Sequence, residues 1–355
     1  MDRLVQYGWN DQFAAAFAAH AAAGRVPGRV VLEHTHIYRV ATAEGEVLAR
    51  VAGRLRHRAA GRADFPAVGD WVALEPVPGG DARIHAVLPR FSRFSRRAAG
   101  DVTEEQVVAA NIDVVFLVGG LDGDFNPRRI ERYLVVAWES GARPVVLLNK
   151  ADLVPDAGRL VDEVRPLAPG VDVHAVSARM PETLDVVRSY LGVGRTAALL
   201  GSSGVGKSTI VNRLVGFDLL RTRDVRITDS RGRHTSTARQ MVLLDSGGVL
   251  IDTPGMRELQ LWESGEALGD AFADVEQIAA GCRFRDCRHR QEPGCAVRAA
   301  VASGELPAFR LESYLKLAAE REHQARQLEA RALLEQKRSE KTMTKALNRH
   351  LRQKR

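Results

Sequence analysis

The sequence predicts a multidomain chain: a small N-terminal β-barrel of the OB type, a central α/β phosphate-loop domain, and a helical C-terminal part. Three observations carry this. Short alternating apolar runs, separated by turn residues, fill the stretch from Val30 to about Leu88. From Ile112 onward, longer apolar runs alternate with helical patterns, which reads as a mostly parallel sheet covered on both faces. Within that region Gly201-Ser202-Ser203-Gly204-Val205-Gly206-Lys207-Ser208-Thr209 matches the phosphate-loop pattern G-x-x-x-x-G-K-[ST].

The N-terminal elements come first. Phe13 to Ala19 is apolar enough to pass for a signal-peptide core, but Asp2 and Asp11 precede it and no positive cluster leads it. It reads as an alanine-rich helix, and the expected location is cytoplasmic. No apolar run approaches the roughly 18 residues of a membrane span. Five runs then read as strands: Arg29–Glu33, Ile37–Val40, Glu46–Val51, Trp71–Leu74 and Arg83–Leu88. Glu44-Gly45, Val68-Gly69-Asp70 and Pro78-Gly79-Gly80-Asp81 separate them, and five short strands over this length fit the OB-fold. Arg90 to Arg97 reads as a basic connector. Ten arginines against four acids between Arg50 and Arg97 contribute to a net charge of +7, as do six Lys or Arg without an acid in residues 341–355. Basic stretches at both ends point to a polyanionic partner. The three cysteines, Cys282, Cys287 and Cys295, are odd in number and clustered, which argues against disulfides.

The central elements carry chemistry. Thr196–Leu200 is a short apolar strand and Thr209–Leu214 opens a helix, so the helix N-terminus faces a bound anion. The loop glycines leave room for backbone N–H groups to turn toward phosphate, Lys207 carries charge to the β- and γ-phosphates, and the Ser208 hydroxyl is a Mg²⁺ ligand. Asn149-Lys150-Ala151-Asp152 follows the strand Pro144–Leu148. A carboxylate there accepts from both N1–H and the exocyclic amine of guanine, a donor pair that adenine lacks, and Lys150 lies along the base plane. Ser177-Ala178, after the strand ending at Val176, supplies a backbone N–H to the guanine oxygen. Asp252-Thr253-Pro254-Gly255 follows Val249–Ile251; Asp252 reaches Mg²⁺ through water and the Gly255 N–H reads the γ-phosphate. The nucleotide is therefore GTP. A metabolic phosphate-loop kinase would not explain Asn149–Asp152.

The base-reading segments precede the phosphate loop, the reverse of ordinary small GTPases. A circular permutation keeps the same sheet because the old termini lie close together. In this order, with Gly232-Arg233-His234-Thr235-Ser236-Thr237 and Cys282-x4-Cys287-x-His289-x5-Cys295, the chain resembles the ribosome small subunit-dependent GTPase A family over about residues 30–320. The resemblance implies an OB-fold, a circularly permuted GTPase domain and an α-helical zinc-binding domain. It also implies GTP hydrolysis coupled to late maturation of the small (30S) ribosomal subunit.

On that basis the expected boundaries are a lead-in at 1–28, the OB-fold at 29–98, the permuted GTPase at 99–262, the zinc-binding helical domain at 263–340 and a basic tail at 341–355. Cys282, Cys287, His289 and Cys295 would hold one Zn²⁺, a donor set that suits tetrahedral zinc. Arg283, Arg285, Arg288 and Arg290 make that segment basic, as 16S rRNA binding requires. The resemblance makes residues 232–237 the first switch, with Thr235 beside the nucleotide. Family members commonly carry three threonines after the switch histidine; Ser236 stands in the middle here, which leaves the Mg²⁺-ligating hydroxyl open. Gly204 stands where some potassium-activated relatives carry asparagine. Met256 occupies the place where many GTPases orient water with glutamine, so His234 is the expected catalytic group. The protein is expected to be a monomer off the membrane. Two other readings stay open on the sequence: a permuted GTPase of the large subunit, and an RNA-binding protein whose nucleotide site is structural and barely turns over.

Overall fold

The computed structural model describes residues 2–34, 37–97, 105–123, 125–216, 239–252 and 271–319, with 321–322 and 325–326. The chain divides into two compact units, one holding the barrel and the parallel sheet, the other the Cys/His segment and the helices after it.

Two short helices open the first unit, α1 (Asp2–Gln6) and α2 (Asp11–Ala21). Asn10 caps α2 by accepting from the Phe13 N–H at 3.1 Å, and Phe13 and Phe17 are buried beneath it. The Trp9 and Trp71 rings meet edge to face at 4.8 Å, so this lead-in is part of the packed interior.

The barrel strands are β1 (Val26–His34), β2 (Ile37–Ala41), β3 (Glu46–Val51), β4 (Trp71–Glu75) and β5 (Ala82–Val87). They close in the order β1-β2-β3-β5-β4-β1, with β3 and β5 parallel and every other pair antiparallel. A register shift between Val30 and Leu32 bends β1, which pairs with β4 along its first half and β2 along its second. Gly28 permits this: a Cβ there would stand 2.6 Å from a Val40 methyl and 2.8 Å from a Leu74 methyl. Val30, Tyr38, Val40, Val72, Leu74 and Ile84 fill the interior. The first strand begins at Val26, three residues ahead of the expected boundary.

Two arginines of this region point inward. Arg29 is fully buried, donating to the Gly69, Asn111 and Tyr7 carbonyls. Burial lowers its pKa to about 10. Arg90 forks onto the buried Asp70, at 2.8 Å from Oδ1 and 2.7 Å from Oδ2. The stretch expected as a basic connector is in part a strand, β6 (Arg93–Arg97), paired antiparallel with β7 (Glu105–Ala110). Counting charges therefore overstated the basic face, because bidentate pairing and carbonyl donation let guanidinium groups go inside.

The central sheet contains β8 (Val114–Gly120), β9 (Arg143–Asn149), β10 (Asp172–Ala175), β11 (Thr196–Leu200), β12 (Arg239–Leu243) and β13 (Val249–Asp252). Its order is β10-β9-β8-β11-β13-β12, parallel throughout except for the edge pair β12–β13. The phosphate-loop strand β11 is central and buried at all five positions. With α3 assigned to Gly53–Arg58 in the barrel, the sheet's helices are α4 (Pro127–Ser140), α5 (Ala157–Val164), α6 (Asp185–Ser189) and α7 (Lys207–Val215). α4 starts with Asn126 as cap and Pro127 in its first turn. The second half of β1 also pairs with β12, Leu32 opposite Gln240 and Glu33 opposite Arg239, so barrel and parallel strands form one eleven-stranded sheet. The spacing of apolar runs did not foresee this pairing.

The second unit contains α8 (Ala273–Ala279), α9 (Ala296–Ser303) and helical turns over 308–319. Arg310, 1% exposed, forks onto Asp274 at 2.8 Å through two nitrogens. No helix among the described residues is long and apolar enough to cross a membrane.

Candidate nucleotide site and metal centre

The sheet brings the predicted segments to one edge, because β9, β10 and β11 run parallel and all end there. The loop after β11 turns at Gly204 and Gly206, both with positive φ. At Gly201 a Cβ would lie 2.3 Å from the Val118 carbonyl oxygen, and at Gly206 2.2 Å from the Asn149 amide nitrogen. Only glycine lets the loop pass this close to β8 and to Asn149. Lys207 Nζ donates to the Gly201 and Ser202 carbonyls, 2.6 Å each, which folds its ammonium back over the loop. Val205 is buried beneath the loop, while Ser203, Gly204, Ser208 and Thr209 are exposed to solvent.

Asn149 is 2% exposed and ties three motifs together. Its amide nitrogen donates to the Val205 carbonyl at 2.7 Å, and its oxygen accepts from the Ala178 N–H at 3.0 Å. Lys150 has left-handed backbone, φ +68°, and its ammonium pairs with Asp122. One Asp152 oxygen accepts from the Ser177 hydroxyl at 2.6 Å; the other lies 3.8 Å from an Arg179 guanidinium nitrogen. The Ser177 N–H donates to Thr183 Oγ1 at 2.8 Å, which holds the loop bearing Ala178 in place. Asp152 and the loop at Ser177 and Ala178 are thus adjacent, as reading one base edge requires.

Three residues at this edge were missed from the sequence. Arg129 Nη1 donates to Ser202 Oγ at 2.6 Å, and the Tyr133 hydroxyl lies 3.3 Å from the same oxygen. They sit four apart on one face of α4, so the helical spacing was visible, but not that this face meets the phosphate loop. Asp122, the partner of Lys150, follows β8 in a stretch that carries no motif.

The Asp252 backbone ends β13 opposite Gln240. His234, Thr235, Ser236, Thr237, Gly255 and Met256 lie outside the described residues, as does the tail at 341–355.

In the second unit Cys282, Cys287, His289 and Cys295 converge, with their ligand atoms all within 4.8 Å of one another. Cys282 Sγ is 3.9 Å from Cys295 Sγ and 3.6 Å from His289 Nδ1; Cys295 Sγ is 3.4 Å from that nitrogen. A tetrahedral zinc site with bonds of about 2.3 Å sets its sulfurs about 3.8 Å apart, so the donor set fits the ion. Burial and then the neighbouring thiols push Cys287 up to about 11. Cys282 moves down: burial raises it, and the Val297 and Ala296 N–H groups outweigh that. Three thiols this close ionise together only around a cation. Left-handed backbone at His289, φ +56°, turns the chain back toward the cluster.

Comparison with known proteins agrees with this arrangement. The family model described as RsgA GTPase matches residues 87–262. The "Small ribosomal subunit biogenesis GTPase RsgA" of Opitutus terrae is 48% identical over 92% of this chain and 92% of its own length. The protein of that name from Streptomyces coelicolor is 45% identical over 94% of this chain and 90% of its own. Among solved structures, YjeQ from Thermotoga maritima aligns with a TM-score of 0.65 and 29% identity, covering 84% of this chain and 98% of its own. YloQ, described as a circularly permuted GTPase, shares the fold at a TM-score of 0.63 and 23% identity, over 84% of this chain and 96% of its own. Asn149–Asp152 and Ser177-Ala178 precede the phosphate loop yet meet it at one sheet edge, as a permuted GTPase requires, and with relatives nearly half identical along almost the whole length, the chain belongs to the RsgA GTPase family and is a GTP hydrolase.

Proposed function

We propose that this GTPase binds the small ribosomal subunit and couples GTP hydrolysis to late maturation of the subunit and its own release. The observation that carries the reading is the permuted site itself, in a chain 45–48% identical to proteins named for small-subunit biogenesis. The barrel at 29–98 and the Cys/His segment within 263–340 flank the GTPase at 99–262 and would contact 16S rRNA, aided by the tail at 341–355. The protein acts as a monomer in the cytoplasm.

Asp152 accepts from the guanine edge, with Lys150 along the base and Ser177-Ala178 at its oxygen. Residues 201–209 cradle the phosphates once the Lys207 ammonium leaves the two carbonyls it now holds. Ser208, Thr235 and, through water, Asp252 would hold Mg²⁺, which neutralises phosphate charge. The Gly255 N–H senses the γ-phosphate. His234 orients the attacking water; the bond from the γ-phosphorus to its bridging oxygen breaks, leaving GDP and phosphate. Cys282, Cys287, His289 and Cys295 would hold Zn²⁺, which shapes a segment with little core of its own.

Co-sedimentation with purified small or large subunits, in the presence of a non-hydrolysable GTP analogue, tests the partner. Binding to small subunits with stimulated turnover is the expected result. Preference for large subunits, or binding without any stimulation of hydrolysis, would overturn it.

A further inference from the structure

Phe284 lies between two members of the metal cluster, Cys282 and Cys287, and is 41% exposed. The backbone around it is held: the Arg283 N–H donates to the Gly294 carbonyl at 3.1 Å and the Cys287 N–H to the Phe284 carbonyl at 3.3 Å. Gly294 has positive φ and lies against the Arg283 stem, where a Cβ would come within 3.0 Å. The ring is thus an exposed aromatic face on a pinned loop.

Its surroundings are cationic. The Arg283 guanidinium carbon is 5.6 Å from the Phe284 ring centroid, and Arg283, Arg285, Arg288 and Arg290 are all exposed. Two acids share the stretch, the exposed Asp286 and Glu292, whose carboxylate accepts from the Arg288, Arg290 and Gln291 N–H groups; against four arginines they leave the loop net positive. A docking face for protein gathers neighbouring apolar side chains. Here an exposed aromatic is flanked by arginines, the combination on which unpaired RNA bases stack while phosphates meet the cations.

We propose that Phe284, with Arg283 and Arg285 beside it, is a stacking platform for one unpaired base of structured RNA. The partner rests on the proposed function; the residue and the mode of contact go beyond it.

The test uses the full chain and purified small subunits, with co-sedimentation affinity measured over a salt series and zinc content measured for every variant. Phe284→Ala should weaken binding by about tenfold, the scale of one stacked base, with the salt slope unchanged. Phe284→Trp should keep wild-type affinity, and Phe284→Leu should behave like Phe284→Ala because it retains apolar area without a π-face. Arg285→Ala should lower the salt slope by about 1. Zinc content should stay at the wild-type level throughout. If Phe284→Ala binds as wild type, or Phe284→Leu does, stacking is overturned while the proposed function stands. If the wild-type chain itself does not bind small subunits, the proposed function falls and this inference with it.

Discussion

The nucleotide edge and the Cys/His segment both hold polar side chains in place, but with different amounts of interior behind them. Beneath the nucleotide edge, Phe116, Val145, Leu147, Leu199, Ile210 and Leu250 pack in one cluster, and strand pairing runs from β10 to β12. Each site residue is a small part of that network. Between Gly281 and Cys295, by contrast, only His289 and Cys295 are buried, and both belong to the cluster of ligand atoms. Order there is concentrated in four side chains. Distributed order should yield gradually to single substitutions, and concentrated order abruptly.

The sharpest test of that contrast is Cys287→Ser. Structural zinc contributes on the order of 10 kcal/mol in small metal-dependent segments, so this variant should lose its metal and open the second unit to proteolysis. GTP affinity should survive. Metal analysis, limited proteolysis and a nucleotide titration read the three parts, and a joint loss of nucleotide binding would break the comparison. Phe116→Ala is the counterpart in the sheet. Truncating this fully buried ring should remove about 3–5 kcal/mol from denaturant unfolding of the first unit and leave zinc content unchanged.

Asp152→Asn sharpens the comparison at the site itself. A charge-assisted contact becomes a mismatched amide edge, and GTP affinity should fall by about 2–4 kcal/mol without loss of fold. Equal binding of ATP and GTP by the wild-type chain would remove the role given to Asp152. His234→Ala should leave GTP affinity nearly intact and lower subunit-stimulated turnover about 10²-fold, the scale of one positioned catalytic group. Wild-type stimulation in that variant would move the catalytic group to the ribosome. The smallest effect belongs to Arg129→Ala. Tyr133 and the loop's own backbone still hold Ser202, so GTP affinity should drop only about threefold to tenfold, the net scale of one ordinary hydrogen bond.

Much of this architecture was legible in the residues because its signals are local. Each of the five apolar runs lies on a barrel strand, and the four ligand-type residues spaced over Cys282–Cys295 came together. The errors have one origin. Arg90 belongs to the stretch that reads as surface charge, yet the backbone carbonyls and the Asp70 carboxylate that receive it are brought up by folding. Arg93–Arg97 reads as a connector because three of its five residues are arginines, which hides the strand that pairs with Glu105–Ala110.

The sequence by itself determined the order of the segments proposed to bind nucleotide, the permutation that order implies and the Cys/His cluster proposed to hold metal. Each is written in short stretches whose spacing answers to the size of a phosphate, a base edge or a metal ion. Tertiary structure alone decided that β1 joins β12 into one sheet, that Asn149 spans three loops, and that Arg129 and Tyr133 reach Ser202. Those contacts link residues far apart in the chain, and their energy comes from burial and satisfied hydrogen bonds that exist only after the sheet has formed.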